Sequence, residues 1–440
     1  MSQVLKSLFY QRKVLIFGLG LQGGGVADAL TALSFGAKVR VTDLKTATQL
    51  QSSLAKLPSQ IETSLRGHKP EDIEWADLII QNPAVPFDQP LIQLAHQLKK
   101  PVYGSAALYL QTTSLPVIGI TGTRGKSTTT NLIYYLLNHF YPNKVLLGGN
   151  LPDKSPLQLI NQEQDKRYAV LELSSFQLHF CHSLKVSPHL AVVTNIYPDH
   201  LNRYPDMETY IQDKLALVKY QQKSDHAILN QNDSYSSLFA RNTSAQVHYF
   251  TYANLKTSLI GSHNQANLAA ALKVAEILNL PLSKTKEILS QFRGLPFRLE
   301  RVGEKRGITF INDTTSTTPI ATITAIKAMS QPFVLIVGGS SKNLPLNDLI
   351  KTICKTSSLK KIVILGSYQN PEFVQQLYQT CPQKIIAQVK SMQAAVSLAF
   401  KHAQSSKIKT VLLSPGFASF DLFKNEFDRG RQFNELVAKL

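Results

Sequence analysis

The run Val117-Ile-Gly-Ile-Thr-Gly-Thr-Arg-Gly-Lys-Ser-Thr-Thr-Thr130 limits the possible folds of this chain more than any other segment. An apolar strand enters a glycine loop and leaves through a lysine into a hydroxyl-rich helix start. Strand, tight turn and helix in that order make a unit that packs within a mostly parallel sheet covered by helices. The turn is also suited to a nucleoside triphosphate. Gly122 and Gly125 let backbone N–H groups face phosphate oxygens, the helix presents its positive end, Lys126 reaches the outer phosphates, and Ser127 can sit on Mg2+. A strict G-x-x-x-x-G-K-S would need glycine where Ile120 stands, so the loop is the shorter T-G-T-x-G-K-S form.

The alternation of strand and helix recurs on both sides. Lys13-Val-Leu-Ile-Phe leads into Gly18, Gly20 and Gly23, then a helix through Leu33, then a strand Lys38–Asp43. That G-x-G-x-x-G spacing with an acid about twenty residues on is what a dinucleotide fold shows, and taken alone it favours NAD. The residues themselves establish only a nucleotide or diphosphate site, with Asp43 bonding a ribose or a base. Further strands are expected at Leu78-Ile-Ile and Val102-Tyr, and a linker at Gln111–Pro116. The middle segment carries strands at Lys144-Val-Leu-Leu, Tyr168–Leu173 and Leu190–Asn195, with helical patterns over 128–139, 207–220 and 267–278. The last has strands at Phe333–Gly338, Lys361–Gly366 and Thr410–Ser414 but no second phosphate loop, so it completes a site and does not build one alone. The expected fold class is α/β in three domains: a Rossmann-like domain at 1–112, a central P-loop ATPase-type domain at 113–297, and a Rossmann-like domain at 298–440.

A chain of 440 residues with 43% hydrophobic and 17% charged residues has ample material for such cores. No apolar run approaches the roughly 18 to 20 residues of a membrane span, and the first residues lack a signal-peptide pattern, which points to a cytoplasmic protein without membrane insertion. Cys181, Cys354 and Cys381 are scattered and odd in number, against both a disulfide framework and a zinc site. The net charge of +18 is spread along the chain with no run of five basic residues, so nucleic acid is not the expected partner.

Several side chains stand where chemistry is expected. Glu172 ends an apolar strand after the phosphate loop and is placed to hold Mg2+, which needs few carboxylates and keeps several waters. Asp199, His200 and Arg203 share a loop after another strand, and His200 offers a neutral nitrogen to a divalent ion. Asn264 and Asn267 stand one turn apart at a helix start, where amides can meet an adenine edge or phosphate. Arg298 and Asp313 flank the entry to the last segment.

In order along nearly the whole chain, G-L-G at 18–20, T-G-T-R-G-K-S-T at 121–128, L-E-L-S-S-F-Q-L at 171–178, D-H-L-N-R-Y at 199–204, G-S-H-N-Q-A-N at 261–267 and L-S-P-G-F-A-S-F-D-L-F-K-N at 413–425 resemble the Mur ligases. The second and fifth runs are shared across that family and folylpolyglutamate synthases, while the third and the last point to its glutamate-adding branch. The resemblance implies that ATP phosphorylates the carboxylate of UDP-MurNAc-L-alanine and that glutamate attacks the acyl phosphate. That step belongs to peptidoglycan synthesis, and through it to cell-wall biogenesis, cell shape, division and the cell cycle. It implies a monomer using ATP and two Mg2+ ions, with Lys126, His200 and Lys214 as catalytic groups. Gly122, Thr123, Gly125, Lys126, Ser127, Thr128, Asn264, Asn267, Arg298 and Asp313 would bind ATP. Ser127, Glu172, His200 and a carbamylated Lys214 would hold metal. Leu19, Gln22, Asp43, Asn150 and Ser174 would contact the UDP substrate, which turns the glycine motif away from NAD. Lys342, Ser414 and Phe420 would receive glutamate.

Two departures bear on substrate choice. Thr315 replaces a lysine of the glutamate side, and Tyr103–Leu108 lacks an acid usual near there. A related ligase adding L-glutamate or another amino acid, and a P-loop NTPase switch without ligase activity, are the competing readings.

Overall fold

The computed structural model describes residues 3–201, 203–366, 368 and 370–440. Three sheets follow one another along the chain. The first joins β1 (Lys13–Phe17), β2 (Lys38–Asp43), β3 (Glu62–Leu65), β4 (Leu78–Gln81) and β5 (Val102–Tyr103) in the order β3-β2-β1-β4-β5, all parallel. The second joins β6 (Val117–Thr121), β7 (Val145–Gly149), β8 (Tyr168–Glu172), β9 (Leu190–Val193), β10 (His226–Asn230) and β11 (Gln246–Phe250) in the order β11-β10-β9-β6-β8-β7, again all parallel. The third contains β12 (Glu300–Lys305), β13 (Ile308–Asn312), β14 (Phe333–Val337), β15 (Leu359–Leu365), β16 (Ile385–Val389) and β17 (Thr410–Leu413). Its order is β12-β13-β17-β14-β15-β16, and β12 runs antiparallel to β13, which makes this sheet mixed.

Every residue of β4, β6, β8, β9 and β14 is buried. Strands covered by helices on both faces read as unbroken apolar runs, which is why these five are legible from sequence. The chain packs as two compact units, Met1–Leu255 with Gln265–Leu289 and Lys256–Asn264 with Ser290–Leu440. The first two sheets share the first unit because one continuous core, from Val26 and Leu108 through Leu157 to Leu171, links them. In the second unit separate apolar clusters cover the two faces of the third sheet.

One expectation is overturned here. Cys354 and Cys381 form a disulfide, with Cα atoms 5.6 Å apart. Their 27-residue separation gave no sign of it, but the helices Asn347–Lys355 and Pro371–Thr380 pack together and each cysteine stands at or next to the end of one. Cys181 stays free and buried, and burial, with Asp213 nearby, pushes its thiol up to about 12.

Candidate active site

Parallel sheets bind ligands beyond the carboxyl ends of their strands, and the expected residues of the first unit gather there. β6 delivers the loop Gly122–Gly125 into the helix Lys126–Phe140, whose N-cap is Gly125 at φ +82 without a capping side chain. The first-turn N–H groups are therefore left to an anion. A Cβ on Gly125 would lie 2.5 Å from Asn267 Oδ1, so glycine also lets the Asn264–Ile277 helix approach. Asn267 is itself buried and accepts a hydrogen bond from Thr129 Oγ1 at 3.2 Å.

Two lysines converge on one carbonyl. Lys126 Nζ donates to Gly122 O at 2.9 Å and Thr123 O at 3.1 Å, while Lys214 Nζ, on the buried face of the Met207–Lys219 helix, donates to Gly122 O at 3.0 Å. Burial first, and the neighbouring Lys126 second, press the Lys214 amine well below the usual lysine range against the pull of Asp199, Asp213 and Glu172. A neutral amine is the form that can add carbon dioxide to become a carbamate. His200 follows Asp199 in a left-handed turn (φ +58) with Nε2 3.8 Å from Asp199 Oδ2. Its pKa is lowered by burial against the pull of Asp199, and Lys126, Lys214 and Arg124 lower it further, leaving a neutral imidazole.

Glu172 is buried at the end of β8, with Oε1 accepting from Asn150 Nδ2 at 3.1 Å and Oε2 without a partner. An orphaned buried carboxylate oxygen beside a phosphate loop fits a divalent cation. The described residues contain no cluster of three His, Cys, Asp or Glu that could hold a metal. The expected set is a mixed one of hydroxyl, carboxylate, imidazole and modified lysine. Of the D-H-L-N-R-Y run, Asn202 lies outside the described residues.

Asp213 is a partner that sequence reading missed. Its carboxylate lies 3.0 Å from His179 Nδ1 and accepts from Tyr204 Oη at 2.9 Å, and Tyr204 stacks on Phe176. This network, buried at Asp213 and Tyr204, anchors the helix turn that carries Lys214. An acid next to a lysine in a helical run gives no sequence signal of burial.

A cavity of about 490 Å3 opens beside the same strand end. The glycine turn, Asn82, Asn150, Ser174 and Arg203 line it. Of the five expected UDP contacts, Gln22, Asn150 and Ser174 line this cavity, whereas Leu19 is buried in the core. Asp43 braces the turn: Oδ2 accepts from Gly20 N and Oδ1 from Lys45 N, both at 2.9 Å. Ser174 caps the helix Ser175–Leu178 through a capping box with Gln177. Arg203 lies over the Phe176 ring with Nη1 on Ala84 O at 3.1 Å and a buried Nη2 without a partner, which suits it to an anionic group.

The remaining expected residues belong to the second unit. Asn264 Nδ2 donates to Ile260 O at 2.8 Å. Asp313 is buried, with Oδ2 accepting from Ser316 Oγ at 2.5 Å and Ser414 Oγ at 2.8 Å, and burial pushes its pKa up to about 6. Ser414, expected to face glutamate, thus directs its hydroxyl inward. Arg298 is close enough to lower the Asp313 pKa slightly. Lys342 Nζ reaches Thr317 Oγ1 at 3.0 Å, and Phe420 is 72% exposed. Thr315, at the lysine position, donates to Phe297 O at 2.8 Å. Behind these loops Arg429, fully buried, donates from Nε to Thr314 Oγ1 and from Nη2 to Thr314 O, both at 2.9 Å, and from Nη1 to Phe417 O at 3.3 Å. It ties the Asp313–Pro319 run to the Ser414–Phe420 run, and sequence reading passed over it.

Residues 12–104 match the Mur ligase MurD-like N-terminal domain and residues 120–256 the Mur ligase middle domain. The chain belongs to the Mur ligases and is an ATP-dependent enzyme that forms an amide bond. Within the family it is 34% identical to the UDP-N-acetylmuramoylalanine–D-glutamate ligase of Borreliella afzelii, over 97% of each chain. It is 30% identical to the ligase of that name from Listeria monocytogenes, over 98% of each. Its fold matches the UDP-N-acetylmuramate-alanine ligase MurC of Thermotoga maritima with a TM-score of 0.62 at 18% identity, covering 98% of this chain and 100% of that one. It also matches the MurF ligase of Thermotoga maritima in complex with ADP, with a TM-score of 0.59 at 18% identity, covering 100% and 99%.

Proposed function

We propose that this ligase joins D-glutamate to UDP-N-acetylmuramoyl-L-alanine through an acyl phosphate, a cytoplasmic step of peptidoglycan synthesis serving cell-wall growth, cell shape and division. The observation that carries the reading is the convergence at the end of β8, where Glu172 stands by the phosphate loop and Ser174 lines the 490 Å3 cavity. The relatives' names support glutamate as the amino acid added. ATP and a UDP-linked acid are cytoplasmic metabolites, and one chain carries all the expected groups, which supports a monomer.

In this reading 1–112 holds the UDP portion, 113–297 holds ATP and 298–440 receives the amino acid. The alanine carboxylate attacks the γ-phosphorus, a P–O bond to ADP breaks, and the amine nitrogen then displaces phosphate from the acyl carbon and loses a proton. Phosphoryl transfer is dominated by alignment and charge neutralisation. The N–H groups after Gly125 cradle the triphosphate, and Lys126 turns from its loop carbonyls to the transferred group. Arg203 holds an anionic portion of the acceptor at the cavity mouth. Ser127, Glu172, His200 and carbamylated Lys214 would hold Mg2+, which supplies further charge neutralisation when bound. In the second unit Lys342 binds the glutamate carboxylate, Phe420 covers it, and Asp313 and Ser414 hold the loop's shape.

Purified protein supplied with ATP, Mg2+, UDP-N-acetylmuramoyl-L-alanine and either glutamate enantiomer tests this. Expected is phosphate release with a product heavier by one glutamate residue, for D-glutamate. Product from L-glutamate alone would assign the related activity, and equal phosphate release without amino acid would assign a nucleotide switch.

A further inference from the structure

Asp28 lies on the Gly24–Ser34 helix that follows the glycine turn, and it is buried on the floor of the 490 Å3 cavity. Ser155 Oγ donates to its Oδ1 at 2.6 Å, and the Ser105 hydroxyl also bonds it. Among the described residues no cation pairs with it. The other charged groups nearby are Asp43 at the end of β2 and Lys45 after it, Asp153 with its partner Lys56, Lys154 on the loop that brings Ser155, and Arg203. The 3-10 segment Leu157–Gln162 and the helix Ser105–Thr112, which flank this floor, carry no charged side chain, and β1 has only Lys13 at its far end.

An ionised carboxylate there would face the diphosphate and carboxylate of a UDP-linked acid across a site that binding dries. Like charges in such a site resist ionisation. A protonated carboxyl instead donates a hydrogen bond to a substrate oxygen while still accepting from Ser155. We infer that Asp28 is a specificity-determining residue of this cavity, contacting the UDP-linked substrate as a neutral acid and keeping its proton while the substrate is bound. The inference rests on the proposed function for the identity of the ligand. Burial supports it, raising the free carboxyl to about 7.

Substrate binding raises a pKa that is already near neutrality, so affinity is level below about pH 7 and falls up to tenfold per unit above it. The sugar-linked diphosphate is a diester and does not titrate in this range. Calorimetry of wild type with UDP-N-acetylmuramoyl-L-alanine, in buffers of different ionisation enthalpy, should show uptake of about half a proton at pH 7 and nearly one at pH 8. Asp28→Asn, which keeps the Ser155 bond, should bind with no such uptake and a flat profile from pH 6 to 8.5. Wild-type binding without proton uptake overturns the inference and leaves the function standing, as does undiminished uptake in folded Asp28→Asn, which would assign the proton to another group. Absence of binding at every pH overturns the functional reading and the inference with it.

Discussion

Arg429 offers a test in which two opposed effects can be separated. Its guanidinium is buried, has no ion-pair partner among the described residues and bonds Thr314 and Phe417 at once, and burial lowers its pKa to about 10 despite Glu426 and Asp421 nearby. Arg429→Lys keeps a cation in the same dry site but cannot span both loops, so at least one buried carbonyl loses its donor. Each such orphan costs about 1–3 kcal/mol, which puts the lysine variant at least about 1–3 kcal/mol below wild type. Arg429→Met orphans the same carbonyls yet removes the charge, whose burial lowers the pKa to about 10 and costs about 3 kcal/mol. Methionine should therefore be no more destabilising than lysine. The assay is urea unfolding followed by far-ultraviolet circular dichroism, with fluorescence of Trp75, the single tryptophan, reporting the first unit as an internal control. Both variants should shift the dichroism transition and leave the fluorescence transition in place, and both should raise KM for glutamate more than KM for ATP. A lysine variant within about 1 kcal/mol of wild type would refute the account of Arg429 as a two-loop clamp.

Lys214→Ala should lose activity by about 10²- to 10³-fold, the usual scale for removing one electrostatic stabiliser, and short-chain carboxylates should partly restore it by occupying the space of the carbamate. Full activity without rescue would remove the carbamate role. For Asp313 the folded pKa of about 6 exceeds the unfolded value near 3.8, so its contribution is fully present below about pH 4 and is lost as pH rises through 6. Asp313→Asn should therefore gain about 3 kcal/mol on wild type between pH 4 and pH 7, and parallel pH profiles in chemical denaturation would contradict the burial assigned to it.

The parts legible in sequence are those with a local cause. β6, β8 and β14 are buried along their whole length and β1 and β17 in all but their first residue, β2 alternates with its apolar residues buried, and the phosphate loop declares itself through glycine spacing. The hairpin β12–β13 escaped because Glu300-Arg-Val-Gly-Glu-Lys is half-exposed and polar with a bulge between Arg301 and Gly303, so it has no clean period of two. β3 and β11 are edge strands, and short polar edges carry little pattern. Among site residues, those in glycine-bounded motifs were found. Asp28, Asp213 and Arg429 were not, since each is a charged residue in a helix and only tertiary packing distinguishes it from the solvated face such a residue usually occupies.

The end of β8 also works as a ruler. Glu172 and Ser174 are two residues apart, a span of about 7 Å that covalent geometry does not allow to stretch. With Glu172 holding Mg2+ and Ser174 the UDP-linked acid, as proposed, the backbone itself sets how far apart these two contacts stand. Substitutions elsewhere in the first unit can weaken either substrate's grip. They cannot change the chain distance between these two contacts.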